Sequence, residues 1–383
     1  MTDPVSAAPS SLRGAVIGYG FIAERGHVPA YAMPGRARFE IVAVADPCAA
    51  RRNRAAQALP QAHVYESAEE LLSRERGRLD FVDVCAPPSE HARLARLALT
   101  HGAHVLCEKP LATRAADAQG LARLARASRR VLYPSHNYKH APVIRAVREA
   151  LDAGLVGRVR LVTLQTFRTT HARGVDEWRP HWRRDRRFAG GGIAMDHGSH
   201  TFYLAFDWFG EYPTAITAKM TTSANARGGA EPGAPRVFDT EDNFACSMTF
   251  PSGSATAHLS WTAGVRKVIY TLHGDLGAIR VEDDDVEVVV RDAATAALRG
   301  NGGAVAERRQ IASNWKDASH VGWFRSLFDD FADAIARSDF VSRDTEASAR
   351  CVELISAAYA SALDGCRERP LGGAGQSGAA GER

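Results

Sequence analysis

The stretch GAVIGYGFIA, at residues 14–23, decides the fold of this chain. Its apolar run ends in the pattern G-x-G-x-x-A, and a helical pattern follows. Gly18 permits a tight turn, Gly20 lets the backbone approach a pyrophosphate, and Ala23 allows the helix to pack closely on the strand. The N–H groups at the start of that helix can bind phosphates. Alone, the pattern would also fit an ordinary strand-to-helix turn, so its surroundings decide.

Those surroundings favour a dinucleotide site. Helical patterns such as residues 89–102 alternate with short, continuous apolar runs, as buried parallel strands require. The runs are GAVIGYG (14–20), FEIVAVAD (39–46), DFVDVCAP (80–87), HVLCEKP (104–110) and RVLYPS (130–135). They predict an α/β fold, with a doubly wound parallel Rossmann sheet over residues 13–137. Asp46 ends the second run, where a carboxylate accepts ribose hydrogen bonds and repels a 2′-phosphate. We expect NAD, although NADP stays possible because Arg51 and Arg52 lie nearby.

The second half of the chain has a different rhythm. A helical pattern over 140–153 and a strand over 158–168 precede longer alternating runs with glycine-containing turns, which predict a mainly antiparallel sheet. We expect an α+β domain for substrate binding and oligomerisation over residues 138–368. Residues 1–12 are predicted to be a disordered N-terminus and residues 369–383 a disordered tail, with a Gly/Pro/Ala-rich loop at 223–235.

Composition excludes several classes of protein. The chain has 383 residues, of which 45% are hydrophobic and 24% charged, so a wholly disordered chain or a coiled coil is excluded. A net charge of +4 does not indicate nucleic-acid binding. The six cysteines form no CxxC pair, which argues against disulfides and zinc. No signal peptide or membrane span is recognisable, so we expect a soluble cytoplasmic protein without membrane partners.

Lys109 is the sole lysine of the first 138 residues, in a chain whose other basic residues are mostly arginines. It lies in Glu108-Lys109-Pro110, at the end of a predicted strand, and such strand ends face the ligand crevice. A lysine there can donate a proton or a hydrogen bond to a reacting hydroxyl, which a guanidinium cannot do by titration. Pro110 ends the strand and can adopt a cis peptide. The alternative is an ordinary surface lysine.

A second chemical motif is GGGIAMDHGSH, at residues 190–200. Asp196 and His200 are four residues apart, so on one helix they would share a face, where the carboxylate fixes the imidazole tautomer. Such a pair suits a base that accepts an alcohol proton during hydride transfer. His197 and His200 also form H-x-x-H, but no third ligand follows, and no metal is predicted. The three glycines argue against a histidine that is merely buried in the core.

The ordered combination of GYGFIA, Asp46, APPSEH (86–91), CEKPLA (107–112) and GGGIAMDHGSH resembles the Gfo/Idh/MocA family of oxidoreductases, from about residue 13 to 368. The resemblance implies that His200 is the acid/base, that Asp196 orients it, and that Lys109 binds and polarises the reacting hydroxyl. Many members carry Asp where this chain has Tyr203, which puts the local support of the helix in doubt. The cofactor-binding residues implied are Gly18, Gly20, Phe21, Ile22, Asp46, Pro87, His91, Glu108, Lys109, Trp182 and Arg183.

The family resemblance also implies a sugar, cyclitol or related polyol substrate. The implied substrate-binding residues are Lys109, Asn137, Tyr138, Arg168, Arg183, His197 and His200. The basic stretch RPHWRRDRRF (179–188) could clamp an anion or form a solvated surface, and its sequence does not decide between them. Proteins of this kind usually pair through the open face of the second sheet, so a homodimer or homotetramer is expected.

The leading hypothesis is an NAD(P)-dependent dehydrogenase or reductase that transfers a hydride between the nicotinamide and a hydroxyl or ketone carbon. A second hypothesis keeps the fold but recycles NAD within each turnover, so that a transient oxidation permits epimerisation or elimination. A third is a non-catalytic NAD-binding regulator. The presence of both Lys109 and His200 favours an enzyme.

Overall fold

The computed structural model describes residues 11–222, 239–291, 304–313, 315 and 317–372. The predicted loop at 223–235 and most of the two predicted disordered ends lie outside these residues. The chain forms two compact units, each built from three segments. The first unit comprises Met1–His140, Ala172–Gly190 and Asn314–Ala349, and the second comprises Ala141–His171, Gly191–Ser313 and Arg350–Arg383.

The first unit contains a six-stranded sheet in which every neighbouring pair is parallel. Its strands are β1 (Leu12–Ile17), β2 (Phe39–Ala45), β3 (His63–Tyr65), β4 (Phe81–Val84), β5 (His104–Cys107) and β6 (Leu132–Pro134). Their order is β3-β2-β1-β4-β5-β6, which confirms the predicted Rossmann sheet. The sequence patterns missed β3, because three residues are too few to show a period.

Helices follow the strands of this sheet. The helical segment after β1 has a π-helical turn over Ala23–His27 and continues as α1 (Val28–Ala32). The further helices of the sheet connections are α2 (Ala49–Ala58), α3 (Ala68–Arg74), α4 (Pro88–Thr100) and α5 (Ala115–Ser128). In the rest of the chain lie α6 (Pro142–Asp152), α7 (Arg186–Ala189), α8 (Ile193–Asp196), α9 (Gly198–Phe209), α10 (Val321–Ala336) and α11 (Arg343–Leu363).

Helix α10 belongs to the first unit, although it follows the second sheet in the sequence. Phe324, Phe328 and Phe331 on this helix are fully buried. They pack in one hydrophobic cluster with residues of the Rossmann sheet and α1. The ring of Phe328 stacks on that of Tyr31, with centroids 4.1 Å apart. The apolar stripe of α10 therefore covers the Rossmann sheet, which is why the first unit includes late residues that the sequence patterns assigned to the second domain.

The second unit contains a nine-stranded sheet. Its strands are β7 (Val159–Phe167), β8 (Ala215–Thr221), β9 (Asn243–Phe250), β10 (Gly253–Ser260), β11 (Lys267–Gly274), β12 (Gly277–Glu282), β13 (Asp285–Arg291), β14 (Ala304–Gln310) and β15 (Arg369–Pro370). The order is β14-β13-β12-β11-β7-β10-β9-β8-β15. Only the pair β7 and β10 is parallel among these described strands, so the predicted mainly antiparallel sheet is confirmed.

Two details of the second unit refine the predictions. Strand β9 alternates between buried and exposed residues, which leaves one face of the sheet open in this chain. The predicted disordered tail starts too early, because Arg369 and Pro370 pair with β8 through backbone hydrogen bonds. Within the described part of the chain, no helix combines the length and the apolar character needed to cross a membrane.

Replacing Phe328 with alanine should lower the free energy of unfolding of the first unit by about 3–5 kcal/mol, because a fully buried ring in a packed cluster leaves a cavity. Urea unfolding followed by tryptophan fluorescence measures the change. Leu363, whose side chain is 85% exposed, provides the control, and Leu363→Ala should change stability by less than about 0.5 kcal/mol. Equal losses in the two variants would contradict the role given to α10.

Candidate active site

The glycine loop after β1 has the conformation that a dinucleotide site needs. Gly18 has a φ of +92°, and a Cβ on it would come within 2.8 Å of the backbone nitrogen of Ala86. A Cβ on Gly20 would meet nothing within 4 Å, so the backbone here borders open space that a side chain would fill. Phe21 and Ile22 then begin the helical segment. The loop therefore fits a pyrophosphate lying against Gly20, at the N-terminus of a helix.

Asp46, directly after β2, is tied to this loop. One carboxylate oxygen accepts the backbone N–H of Tyr19 at 2.7 Å, and the other accepts the N–H of Cys48 at 2.8 Å. Burial raises the pKa of Asp46, although these two hydrogen bonds act in the opposite direction. Each oxygen keeps a second lone pair that can accept a ribose hydroxyl. Asp46 thus both fixes the glycine loop and remains able to bind a ribose.

The two arginines near Asp46 are engaged within the protein. Arg51 is buried; its Nε donates to the carbonyl of Tyr19 at 2.7 Å, and its guanidinium also pairs with Glu24 at 2.8 Å. Arg52 donates to the carbonyl oxygen of Asp46 at 3.0 Å and pairs with Glu66 at 2.7 Å. To bind a 2′-phosphate with the same nitrogen atoms, either guanidinium would first have to break these contacts.

The loops after β4 and β5 are joined by His91, near the start of α4. Its Nδ1 lies 2.7 Å from the carbonyl oxygen of Pro110, and its Nε2 lies 2.7 Å from that of Ala86. Burial lowers the pKa of His91, whereas the two carbonyls favour the protonated ring. Pro87 precedes α4 as its N-terminal cap residue, and the Lys109–Pro110 peptide bond is cis. These contacts fix the loop that carries Lys109 against the loop that carries Pro87.

Glu108 and Lys109 follow β5 directly. The backbone N–H of Lys109 donates to the carboxylate of Glu108 at 3.1 Å, and Glu108 is largely buried while Lys109 is partly exposed. Burial acts to raise the pKa of Glu108, but the hydrogen bond and charge of His27, together with Lys109, lower it. Because the strands are parallel, this pair lies at the same edge of the sheet as the Gly18–Gly20 loop.

Sequence patterns missed His27, which lies within hydrogen-bond distance of Glu108 and of Asp83 on β4. The signal that could have found it is Asp83 itself. A carboxylate within an apolar, buried strand requires a polar partner, because an unpaired buried charge is costly.

His27, Asp83 and Cys85 also place three potential metal ligands within 4.8 Å of one another. The Nδ1 of His27 and the Oδ2 of Asp83 are only 2.7 Å apart, whereas two ligands of one tetrahedral zinc ion are about 3.3 Å apart. The spacing is that of a hydrogen bond.

The remaining candidate residues of the first unit lie in two short helical turns. Asn137 and Tyr138 begin a 3₁₀ turn over Asn137–His140, and both are buried; the Tyr138 ring packs edge-on against Trp315. Trp182 and Arg183 begin a 3₁₀ turn over Trp182–Arg184. The guanidinium of Arg183 lies over the indole of Trp182, 4.2 Å from the ring centroid. Both members of this pair are partly exposed.

The second unit holds the GGGIAMDHGSH motif. Asp196 ends α8 and His200 lies in the first turn of α9, with a break at His197. The single continuous helix expected from the sequence is therefore interrupted, because His197 lies between α8 and α9 and belongs to neither. The Nε2 of His197 lies 4.0 Å from a carboxylate oxygen of Asp196, and the rings of His197 and His200 are 6.3 Å apart. His200 is buried, and the other two side chains are partly exposed.

Arg168, also in the second unit, directly follows β7. Its backbone N–H donates to the carbonyl oxygen of Ser260 at 2.8 Å, which continues the pairing of β7 with β10. Its guanidinium donates to the carbonyl of Phe167 at 2.9 Å. The side chain is partly exposed. The sequence-derived site residues are thus distributed over both units, and Arg168 shares its unit with Asp196, His197 and His200.

Glu241 anchors α8, and the sequence patterns missed it. Its buried carboxylate accepts the backbone N–H groups of Gly192 and Ala194, each at 2.9 Å, and the hydroxyl of Tyr359 at 2.8 Å. The backbone of Glu241 approaches so closely that a Cβ on Gly192 would lie 1.8 Å from its carbonyl oxygen. The glycine run therefore serves the close approach of Glu241, which satisfies the free N–H groups at the start of the helix carrying Asp196.

A family model described as "Oxidoreductase family, NAD-binding Rossmann fold" matches residues 12–136. A second, described as "GFO/IDH/MocA C-terminal domain", matches residues 144–280. The two matches together cover most of the chain and both halves of the fold. The first unit is an NAD-binding Rossmann domain of an oxidoreductase. The chain belongs to the Gfo/Idh/MocA family.

Curated relatives are similar over parts of their length. The chain is 32% identical over 230 residues to a D-apiose dehydrogenase of Paraburkholderia graminis, which covers 59% of this chain and 58% of that protein. It is 27% identical over 294 residues to an inositol 2-dehydrogenase of Rhizobium meliloti, covering 74% of this chain and 81% of that protein. Among solved structures, levoglucosan dehydrogenase in complex with NADH and L-sorbose shares the fold, with a TM-score of 0.80 and 19% identity. The match covers 94% of this chain and 99% of that chain.

Replacing Gly192 with alanine should strongly impair folding of the second unit, since the added Cβ would overlap the carbonyl oxygen of Glu241. The melting temperature measured by thermal unfolding should fall by several degrees. Gly210, at the end of α9, has no atom within 4 Å of an added Cβ, but its φ of +73° makes it an unsuitable control. Gly264→Ala, where the space is also open and the φ is not positive, should change the melting temperature little. Equal shifts in Gly192→Ala and Gly264→Ala would contradict this account.

Proposed function

We propose that this protein is an NAD-dependent oxidoreductase that transfers a hydride between the nicotinamide and a hydroxyl or ketone carbon of a sugar-like or cyclitol-like substrate. The observation that carries the proposal is the position of Lys109, at the same edge of the Rossmann sheet as the Gly18–Gly20 loop and Asp46. The names of the two curated relatives, an apiose and an inositol dehydrogenase, support a polyol substrate class.

The cofactor would be held by residues of the first unit. The loop at Gly18 and Gly20 would bind the pyrophosphate, Asp46 the adenosine ribose, and Glu108 the nicotinamide ribose. Pro87 and His91 would flank it through the loop after β4. The further residues proposed to contact it are Phe21, Ile22, Lys109, Trp182 and Arg183. When bound, NAD accepts or returns the hydride.

The protein's own part in the reaction is the movement of a proton and the stabilisation of charge. We assign His200 the role of the base that takes the hydroxyl proton during oxidation, with Asp196 as its orienting partner. Lys109 donates a hydrogen bond to the reacting oxygen and stabilises the alkoxide that develops there. In ketone reduction the same groups act in reverse. The residues proposed to hold the rest of the substrate are Asn137, Tyr138, Arg168, Arg183 and His197.

Turnover by purified protein with NAD and a panel of polyols and cyclitols tests this function through the absorbance of NADH. Lys109→Met and His200→Ala should each lower kcat/KM by about 10²-fold or more, the usual contribution of a positioned acid or base. Lys219, exposed on β8, provides the control Lys219→Met, which should keep wild-type turnover. If wild type turns over and both site variants match it, the roles assigned are wrong. Product formed without net NADH would instead favour the redox-neutral hypothesis.

Wild type should prefer NAD to NADP by about 10²-fold in kcat/KM, because Asp46 would repel a 2′-phosphate at a cost of several kcal/mol and both arginines are engaged elsewhere. Asp46→Asn removes the charge but keeps an acceptor oxygen for the loop, so it should narrow the preference by at least about tenfold. Asp176→Asn, at a side chain that is 85% exposed in the same unit, is the matched control. An unchanged ratio in Asp46→Asn would contradict the role of Asp46.

The expected cytoplasmic location and the expected homodimer or homotetramer stay predictions. The open face of the second sheet supports self-association, and light scattering measures it directly.

A further inference from the structure

His27 is a fully buried side chain that no role assigned above uses. It ends the π-helical turn over Ala23–His27, which follows directly on the glycine loop. Gly26 lets this turn pack closely on α10, because a Cβ there would lie 2.8 Å from the ring of Phe324. The imidazole packs against the same ring, with centroids 4.3 Å apart. Turns of this kind are rare in proteins, and those that occur lie frequently at functional sites. His27 is therefore a candidate for a functional role.

Both ring nitrogens of His27 lie against carboxylates. Nδ1 is 2.7 Å from Oδ2 of Asp83, and Nε2 is 3.0 Å from Oε1 of Glu108. A carboxylate can only accept a hydrogen bond, so two ionised partners require a proton on each nitrogen of the ring.

Asp83 has the surroundings of an ionised carboxylate. Besides His27, it is approached by the hydroxyl of Tyr31 at 2.9 Å and by the thiol of Cys85 at 3.4 Å. An ionised Asp83 can accept a hydrogen bond from each of these three groups.

Two contacts of the Glu108 carboxylate favour its ionised form. It accepts the backbone N–H of Lys109 on one oxygen and faces His27 with the other. The hydrogen bond and charge of His27 and the charge of Lys109 hold the pKa of Glu108 below its ordinary value, against the effect of burial. Burial by itself lowers the pKa of His27, but Asp83 and Cys85 raise it well above its ordinary value.

We infer that His27 is a doubly protonated bridge between Asp83 and Glu108, and that it acts as a positioning residue which holds the Glu108 carboxylate ready for the nicotinamide ribose beside Lys109. The inference rests on the proposed function for the role of Glu108, but the charge state of His27 does not depend on it. His27 acts through Glu108 and is not placed in contact with the substrate.

The charge state has a definite pH range. The groups around the imidazole are Asp83 on β4, Cys85 directly after β4, Tyr31 from α1, and Glu108 after β5, whose carboxylate also feels the charge of Lys109. Helix α10 contributes the rings of Phe324 and Phe328. Because the pKa of His27 is raised on folding, its stabilising charge is present at and below neutral pH and is lost as the pH rises through the folded value. Because the pKa of Glu108 is lowered, its contribution is lost as the pH falls.

The first measurement uses the wild-type chain with NAD and needs no variant to fold. Protein labelled with ¹⁵N-histidine should show one imidazole with both nitrogens protonated at pH 7.5, about one unit above the ordinary histidine pKa. His27→Gln assigns the signal if that variant folds; if it does not, contacts of the ring protons with Phe324 assign it. An unprotonated nitrogen on His27 at this pH would overturn the inference.

The second measurement is the dissociation constant of NAD between pH 5 and pH 9 in wild type and His27→Gln. Loss of the imidazolium leaves Glu108 buried without its counter-charge, so NAD binding in the variant should weaken at least tenfold at pH 6. In the variant, the pH below which NAD binding weakens should rise by about one pH unit or more. His101→Gln, at an exposed histidine after α4, is the matched control and should keep the wild-type profile.

A histidine that serves only stability would lower the fraction of folded protein and leave the pH profile of the folded fraction unchanged, which would also overturn the inference. Because NAD binding requires no substrate, failure of the polyol panel would count against the proposed function and leave this result standing. Restored affinity at high pH in His27→Gln, where Glu108 is again ionised, would support the positioning role over a collapse of the site.

Discussion

Parallel pairing of β2, β1, β4 and β5 is the constraint on which the candidate cofactor site depends. In a parallel sheet all strands end at the same edge, so residues far apart in sequence are brought to one place. Asp46 follows β2, the Gly18–Gly20 loop follows β1, and Glu108 with Lys109 follows β5. Asp46 adds a direct link, because it accepts the backbone N–H of Tyr19 within the glycine loop. The sheet order thus positions the site, and Asp46 fixes the glycine loop.

A second constraint is the charge that the sheet contains. Asp83 is fully buried on a central strand, where an isolated carboxylate would be severely destabilising. The hydrogen bond to His27 gives the Asp83 carboxylate a partner. The other ring nitrogen of His27 lies within hydrogen-bond distance of Glu108, directly after the neighbouring strand β5. Removing one member of such a buried set costs more than the set contributes, because the remaining charges lose their partners. The buried charge of the sheet and the position of the Glu108 carboxylate are therefore linked through one imidazole.

In the second unit, a buried carboxylate likewise supports the helix that carries Asp196. A short helix has free N–H groups at its start, and Glu241 accepts two of them. The approach of the Glu241 backbone leaves no room for a side chain at Gly192. The glycines of GGGIAMDHGSH are thus explained by packing within the unit, whereas the sequence alone suggested only that something approaches closely.

The sequence by itself determined the Rossmann sheet, the mainly antiparallel second sheet, the glycine loop and the family, because each is encoded in local periods and short motifs. Tertiary structure alone decided that α10 packs on the first sheet, that β15 pairs with β8, and that the helix breaks at His197. It also revealed His27 and Glu241. Their partners lie 56 to 81 residues away for His27 and 47 to 118 residues away for Glu241. Such separations carry no local signal, because contacts between distant segments are set by how the elements pack and not by the residues next to them in the chain.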